Sequence, residues 1–387
     1  MNKISNVVIT RSKIYGKNKN VGGLETYLKA FCEVGSKNRK ILLICGSGNY
    51  IFYNGASEKI KSGFSSKNQY LLTIYIGLRV LFYILRNQSL KIHVFSFGLS
   101  GIFISIIKSL GFFDRINLGV ILFGLEFMIQ SKESNKLFTR IQHKIGLRKF
   151  LGYLALKHSD RFFTEYPNHI NEYLKHFPFL KEKENVCIPD PIDVPNHTEV
   201  KYSVSRKYQR LREKKEILII SIGRDSPDKR RDLSIKFFQT LVNEFAETSY
   251  KLHFKICVPK KSETLCKLTE GIKDIEICEG LSDEELVRLR QDAIFCISHS
   301  NQNVPLLSIL EDMSWQVIPI SNDALGQSLN NNCAVLIGDD DISACTEIKE
   351  LINTGSLMQK SEHAFIRANK FGKTEFSNLI QKVFNNE

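Results

Sequence analysis

The stretch "ISIGRDSPDKRRDLSIKFF", residues 220–238, puts Arg224 directly after an apolar run that ends in Gly223, and Lys229 five residues further on. An arginine offers a planar fork of donors and a lysine a mobile point charge, a combination suited to a diphosphate. Asp225, Asp228 and Asp232 stand close enough in sequence to neutralise both cations, so a charged surface loop is the competing reading. A second chemical segment is "SNQNVPLLSILEDMSWQVIPIS", residues 300–321, where the carboxylate of Glu311 follows an apolar run. Pro305 suits the first turn of a helix whose free amides, including those of Leu306 and Leu307, could receive a phosphate. A buried Glu311 would need partners. The vicinal hydroxyls of a ribose are one choice, and a Lys or Arg at a helix edge is the other. The third segment, "KNVGGLETYLKAF", places Gly22 and Gly23 at a helix start, where backbone amides can approach an anion. A tight turn without any ligand would use the same glycines.

These segments need a scaffold. Short apolar runs alternate with helical patterns along the chain, which points to an α/β protein with parallel sheets. Strands are expected at Val7–Thr10, Ile41–Cys45, Ile92–Phe95, Asn117–Leu122 and Arg161–Thr164, with helices at Leu24–Val34 and Tyr70–Arg86 between them. Residues 189–215 carry three prolines and then dense charge, and read as a linker. Alternation restarts with strands at Glu216–Gly223, Lys251–Val258, Ile275–Cys278 and Ile294–Ser298, and a helix at Asp232–Ala246. Ser282 and Glu285 form a capping-box pattern that opens a helix through Arg290. A final helix over 371–385 follows a loop-rich region at 353–370. A chain of 387 residues exceeds one ordinary core. Two domains are expected: 1–195 with 371–387, and 216–370, joined by a charged linker at 196–215. Ligands of such sheets bind beyond the carboxyl ends of the strands.

A hydrophobic content of 43% and a charged content of 25% exclude a disordered chain. The N-terminal residues lack a signal-peptide core. The apolar stretches 70–85 and 97–107 are too short for a membrane span and read as buried helices. Nine cysteines without close pairing favour reduced thiols in a cytoplasm over disulfides or a zinc site. The net charge of +13 gathers at 131–161 and 201–215. Lys136, Arg140, Lys144 and Arg148 recur every four residues, making one basic stripe on a helix. Solvated faces and attraction to an anionic membrane surface through 136–148 are both open readings. Nucleic acid ranks last, because no pattern of aromatic and basic residues supports it.

Taken together, the segments resemble family 4 of the GT-B glycosyltransferases, which are retaining and use nucleotide-sugar donors. Gly22, Gly23 and Glu25 match its N-terminal Gly-Gly-x-Glu loop, and Gly223, Arg224 and Lys229 its Gly-Arg-x-x-x-x-Lys-Gly loop. Ile188-Pro-Asp-Pro-Ile-Asp193 is similar to its hinge, and "SDRFFTEYP" and "GLSDEELVRLRQDAIFCISHS" are similar to two further elements. The resemblance implies two Rossmann-like domains facing across a cleft and a closing helix that crosses back to the N-terminal domain. It implies that Arg224 and Lys229 bind the donor diphosphate, that Glu311 binds the ribose, and that no metal or other cofactor is needed. The pattern departs at Asn303, where the family has the first of two glutamates, which contacts the transferred sugar. It departs also at Phe123, in place of a histidine, with Glu126 nearby. Arg230 stands where a glycine is usual, as a candidate third phosphate contact. The expected function is transfer of a sugar to a saccharide or polyprenyl-linked acceptor in surface polysaccharide synthesis, in the cytoplasm or on the inner face of the cell membrane. The rival is a non-catalytic nucleotide-sugar-binding or scaffold protein with the same fold, motivated by Asn303 and Phe123.

Overall fold

The structure, a computed structural model, describes residues 4–10, 23–45, 47–62, 69–87, 91–109, 111, 115–122, 147–299, 307–322, 329–338 and 340–385. The chain divides into two compact units, Met1–Asp190 with Phe376–Glu387, and Pro191–Glu375.

The first unit is built on β1 (Asn6–Ile9), β2 (Lys40–Cys45), β3 (Gly48–Tyr53), β4 (Ala56–Ser62), β5 (Ile92–Phe97), β6 (Ile116–Leu122), β7 (Arg161–Thr164) and β8 (Glu184–Cys187). They form one sheet in the order β4-β3-β2-β1-β5-β6-β7-β8. Pairing is parallel from β2 through β8 and antiparallel for β2-β3-β4. Successive side chains of a strand alternate between faces, and the two layers of core follow from this. Val7, Ile9, Leu42 and Ile44 enter one layer beside Ile76, Val80 and Ile104. Val8, Ile41, Leu43 and Cys45 enter the other beside Tyr27, Phe31 and Phe384. The C-terminal helix Lys373–Asn385 supplies Phe376, Ile380, Val383 and Phe384 to that second layer, so the end of the chain completes the unit that holds its beginning.

The second unit holds β9 (Glu216–Ile222), β10 (Lys251–Val258), β11 (Ile275–Glu279), β12 (Phe295–Ser298), β13 (Ile318–Asn322) and β14 (Val335–Ile337). The order is β11-β10-β9-β12-β13-β14, and every pair is parallel. The chain runs outward from β9 to β11 and then returns to β12 on the other side of β9. That reversal makes the carboxyl ends of β9 and β12 the topological switch point, where ligands of such sheets sit.

Three readings of the sequence change. Residues 196–215, where a charged linker is expected, hold the helix His197–Lys214, capped by the Asn196 side chain, which accepts from the Glu199 amide at 2.9 Å. Its face of Val200, Ser203, Val204, Lys207, Tyr208 and Leu211 is buried, which the density of charge around it concealed. The region 353–370 is not loop-rich, since Leu357–Asn369 is a helix. The hairpin β3–β4 was not anticipated. Asn54 (φ 48°) and Gly55 (φ 80°) give its turn two left-handed residues, the type I′ geometry favoured by an Asn-Gly pair.

Candidate functional site

At the end of β9 the backbone enters Gly223 with φ 144°, a conformation that strains any residue with a side chain. A Cβ there would lie 3.5 Å from Arg231 Nη2 and 3.8 Å from Lys229 Cε, so both cations fold over this glycine. Arg224 follows immediately and is exposed.

The neighbouring aspartates do less neutralising than their spacing allows. Asp225 accepts a hydrogen bond from Ser262 Oγ, and Asp232 is held by Arg230 through Nε at 3.2 Å and Nη2 at 3.0 Å. Asp228 stands 4.0 Å from Lys229 Nζ. Burial pushes the Lys229 ammonium down to about 8, with Arg231 and Arg224 adding to the shift and Asp228 opposing it. A cluster whose like charges weaken one another in this way gains from an anion.

Arg230, the expected third phosphate contact, is therefore committed to Asp232, and Arg231 is the inward residue. Arg230 takes a left-handed backbone (φ 43°), which turns the chain so that Arg231 points back under Gly223. Arg231 donates through Nη1 to Ser221 Oγ and through Nη2 to the Gly223 carbonyl at 3.2 Å. The sequence shows the Arg-Arg pair, and the backbone reversal decides which of the two faces inward. At the end of β12, His299 is buried with Nδ1 3.1 Å from Ser234 Oγ, and burial lowers it to about 4, so it is neutral at physiological pH.

Glu311 lies on the helix Leu307–Met313 and does have an arginine partner, the alternative that its spacing left open. Arg290, on the capped helix Asp283–Asp292, donates through Nη2 to Glu311 Oε2 at 2.5 Å and through Nε to Asp312 Oδ1 at 2.8 Å. The capping box from Ser282 to Glu285 is present, so the helix that carries Arg290 starts where the sequence put it. Burial raises the carboxyls of both Glu311 and Asp312, the latter to about 6, and Arg290 opposes each shift. Arg290 was not singled out from sequence. Its signal was the second of two arginines, after Arg288, in the last turn of an otherwise solvated helix.

Glu311 also lines a cavity of about 590 Å³ within this unit, together with Asp193, Glu199, Asp283, Arg290 and Trp315. Ile222 is part of the same lining, and the next residue is Gly223, so the cavity adjoins the cationic loop. Four carboxylates with one arginine and an indole suit hydroxyl donors and a flat ring better than a phosphate. The cations next door have the opposite preference. A ligand with a polyhydroxyl part and a diphosphate part would satisfy both.

Of the other expected residues, Gly23 is the first residue of the helix Gly23–Gly35, and Leu307 opens its own helix. Gly22, Asn303, Pro305, Leu306, Phe123 and Glu126 lie outside the described residues, as does nearly all of the basic stripe at 136–148. Among the described residues, no group of three or more His, Cys, Asp and Glu side chains could hold a metal ion, and no helix is long and apolar enough to cross a membrane.

No protein-family model matches the chain, and no curated protein matches it. Solved structures do. Sucrose-phosphate synthase from Thermosynechococcus elongatus superposes with a TM-score of 0.69 at 11% identity, over 99% of each chain. Anabaena HepE in complex with UDP-glucose gives 0.64 at 11% identity over 99% of each. A UDP-forming α,α-trehalose-phosphate synthase from Burkholderia xenovorans gives 0.64 at 11% identity, again over 99% of each. Two α/β units, one with a mixed and one with a parallel sheet, and with the last helix returned to the first, thus agree over the full length with known architecture: the chain has the GT-B fold.

Proposed function

We propose that this chain is a glycosyltransferase of the family 4 type that moves a sugar, with retention of configuration, from a nucleotide-diphosphate sugar to a saccharide or lipid-linked saccharide. The observation that carries the proposal is the pairing of a cationic switch-point loop, Arg224, Lys229 and Arg231, with an adjoining cavity that accepts hydroxyls and is lined by Glu311. The structural neighbours bound to UDP-glucose or named as UDP-forming support a nucleotide-sugar donor.

In this reading Arg224 and Lys229 hold the diphosphate, and Arg231 reinforces their field from beneath Gly223. Glu311, oriented by Arg290 through one oxygen, offers the other to the ribose hydroxyls. The bond from the anomeric carbon to the diphosphate oxygen breaks with its electron pair leaving on the diphosphate, while the acceptor hydroxyl oxygen bonds to the same face of that carbon and passes its proton to the departing diphosphate oxygen. Fixed cations stabilise that charge as it develops, so the transfer step needs no metal ion. Asn303 takes the place of a carboxylate toward the transferred sugar and keeps hydrogen bonding without the charge. A lipid-linked acceptor, as in surface polysaccharide assembly, would account for the basic stripe at 136–148.

The test is a panel of UDP-, GDP- and other nucleotide sugars, scored for binding and for transfer. Arg224→Ala and Lys229→Ala should each weaken donor binding about 10- to 100-fold, the range for losing a charge-assisted hydrogen bond. Unchanged binding in both variants overturns the site. Binding without transfer to any saccharide acceptor would favour a nucleotide-sugar-binding protein with a transferase fold.

A further inference from the structure

The helix Gln69–Arg86 of the first unit is apolar on two opposite faces. Leu72, Ile76, Val80 and Ile84 recur every four residues and are buried in the core. Half a turn away, Ile74, Leu78, Phe82 and Leu85 recur at spacings of four, four and three, and are 48%, 52%, 67% and 46% exposed. That spacing is one continuous stripe on the outer face. The stripe extends sideways. Helix Ile102–Ser109 packs against Gln69–Arg86 at Gly77, where any Cβ would collide with Phe103, and it presents Ile106 outward. Helix Leu147–Lys157 is tied to it by Ser105 Oγ donating to the Leu154 carbonyl, and exposes Phe150 at 56%. Single exposed hydrophobic residues are ordinary, whereas a four-residue stripe on one helix, with further exposed apolar residues on the two helices packed in series beside it, marks a surface meant to be covered.

The charge on this face decides what covers it. The described side chains of the three helices include Arg79, Arg86, Lys108 and Lys157, and the helix sequences contain no Asp or Glu. Lys108 is spent on Asp160. Arg79 lies over Tyr75 and Lys157 over Tyr153, at 5.8 and 5.4 Å from the ring centroids, so their charge borders the apolar stripe. Two copies of such a face would set cation against cation. An anionic bilayer receives apolar side chains at the level of the acyl boundary and the cations at its headgroups.

We infer that the outer face of the Gln69–Arg86 helix, with Ile106 and Phe150, docks the first unit on an anionic phospholipid surface. The inference does not depend on the donor reading, since docking requires no nucleotide.

The full chain should be sedimented with vesicles of phosphatidylcholine alone and with vesicles in which part is replaced by phosphatidylglycerol. Binding is expected only to the second, and should weaken with added salt. A combined Ile74→Ser, Phe82→Ser and Leu85→Ser variant should lose about tenfold or more in partition, because each removes partly buried apolar area. Arg79→Gln with Arg86→Gln should lose about tenfold on the anionic vesicles. Hydroxyl-radical footprinting of the unaltered protein reads the same face without any substitution, with Leu78, Phe82 and Leu85 protected on anionic vesicles. Absent vesicle binding, equal binding by the serine variant, or an unprotected stripe would overturn the inference. So would a dimer that the serine substitutions dissociate, which would identify a second copy as the occupant.

Discussion

At the scale of single residues, Lys229 makes the proposed site sensitive to pH. Its ammonium titrates near 8 without ligand, and a bound diphosphate would favour the charged form. Binding then takes up a proton above that value, so affinity should fall as pH rises from 8 toward the ordinary lysine range. Calorimetric titration with UDP at pH 7 and pH 9 should show weaker binding at the higher pH, and Lys229→Met should flatten the difference. Much of this loop was legible in sequence, because a buried strand ending in glycine and followed by Arg and Lys is a local pattern. The replacement of Arg230 by Arg231 was not, because it depends on one left-handed residue. The Glu311 partner was legible only as a type, since Arg290 lies 21 positions earlier and reaches it by tertiary packing.

At the scale of elements, the helix His197–Lys214 shows how charge can hide a core face. Fully buried Lys207 donates to the carbonyls of Ala293 at 3.2 Å, Trp315 at 2.9 Å and Gln316 at 2.9 Å. It thereby fixes the turn that leads into β13. Arg206 and Arg210 meanwhile share Asp292, so part of the basic cluster at 201–215 is internally paired. Lys207→Met leaves these carbonyls without a donor and should cost about 1–3 kcal/mol in urea unfolding at pH 9.5. Burial lowers Lys207 to about 7 from the ordinary 10.5. A lowered folded value means that its contribution is complete above 10.5 and declines as pH falls toward 7. The deficit of the variant should therefore shrink between pH 9.5 and pH 7. The closing helix carries a separate expectation. Phe384 is 3% exposed and lies 4.7 Å from Phe95 between ring centroids, so Phe384→Ala should destabilise the first unit by about 3–5 kcal/mol. The helices and parallel strands were legible through their periodicity. The Asn-Gly hairpin carries its own turn signal at Asn54 and Gly55, but its strands, "GNYIFY" and "ASEKIKS", lack the clean alternation that marks a strand.

At the scale of the whole molecule, each unit has its own sheet and its own titrating group, so their stabilities can be moved separately. In the first unit Asp190 is buried and hydrogen-bonded to Glu165, and burial raises it to about 7. His169 stands 3.9 Å from Glu165 but is lowered to about 4 by burial, so it brings no compensating charge at neutral pH. A raised folded value means that the pair stabilises fully below the ordinary 3.8 and loses that contribution as pH rises through 7. Asp190→Asn keeps the shape and cannot ionise, so at pH 8 it should raise the melting temperature of the first unit, while below pH 4 it should leave it unchanged. On the proposed function UDP would act on the other unit, because Arg224, Lys229, Arg231 and Glu311 all lie in Pro191–Glu375. At a hundred times its dissociation constant it should stabilise that unit by about 2.7 kcal/mol, roughly 5–10 °C for a unit of this size. Scanning calorimetry at pH 8 should therefore resolve two transitions. One should shift with Asp190→Asn and ignore UDP, and the other should shift with UDP and ignore Asp190→Asn. A single transition that moved with both would mean that the units unfold as one cooperative body, and movement of the first transition with UDP would place the nucleotide outside the second unit.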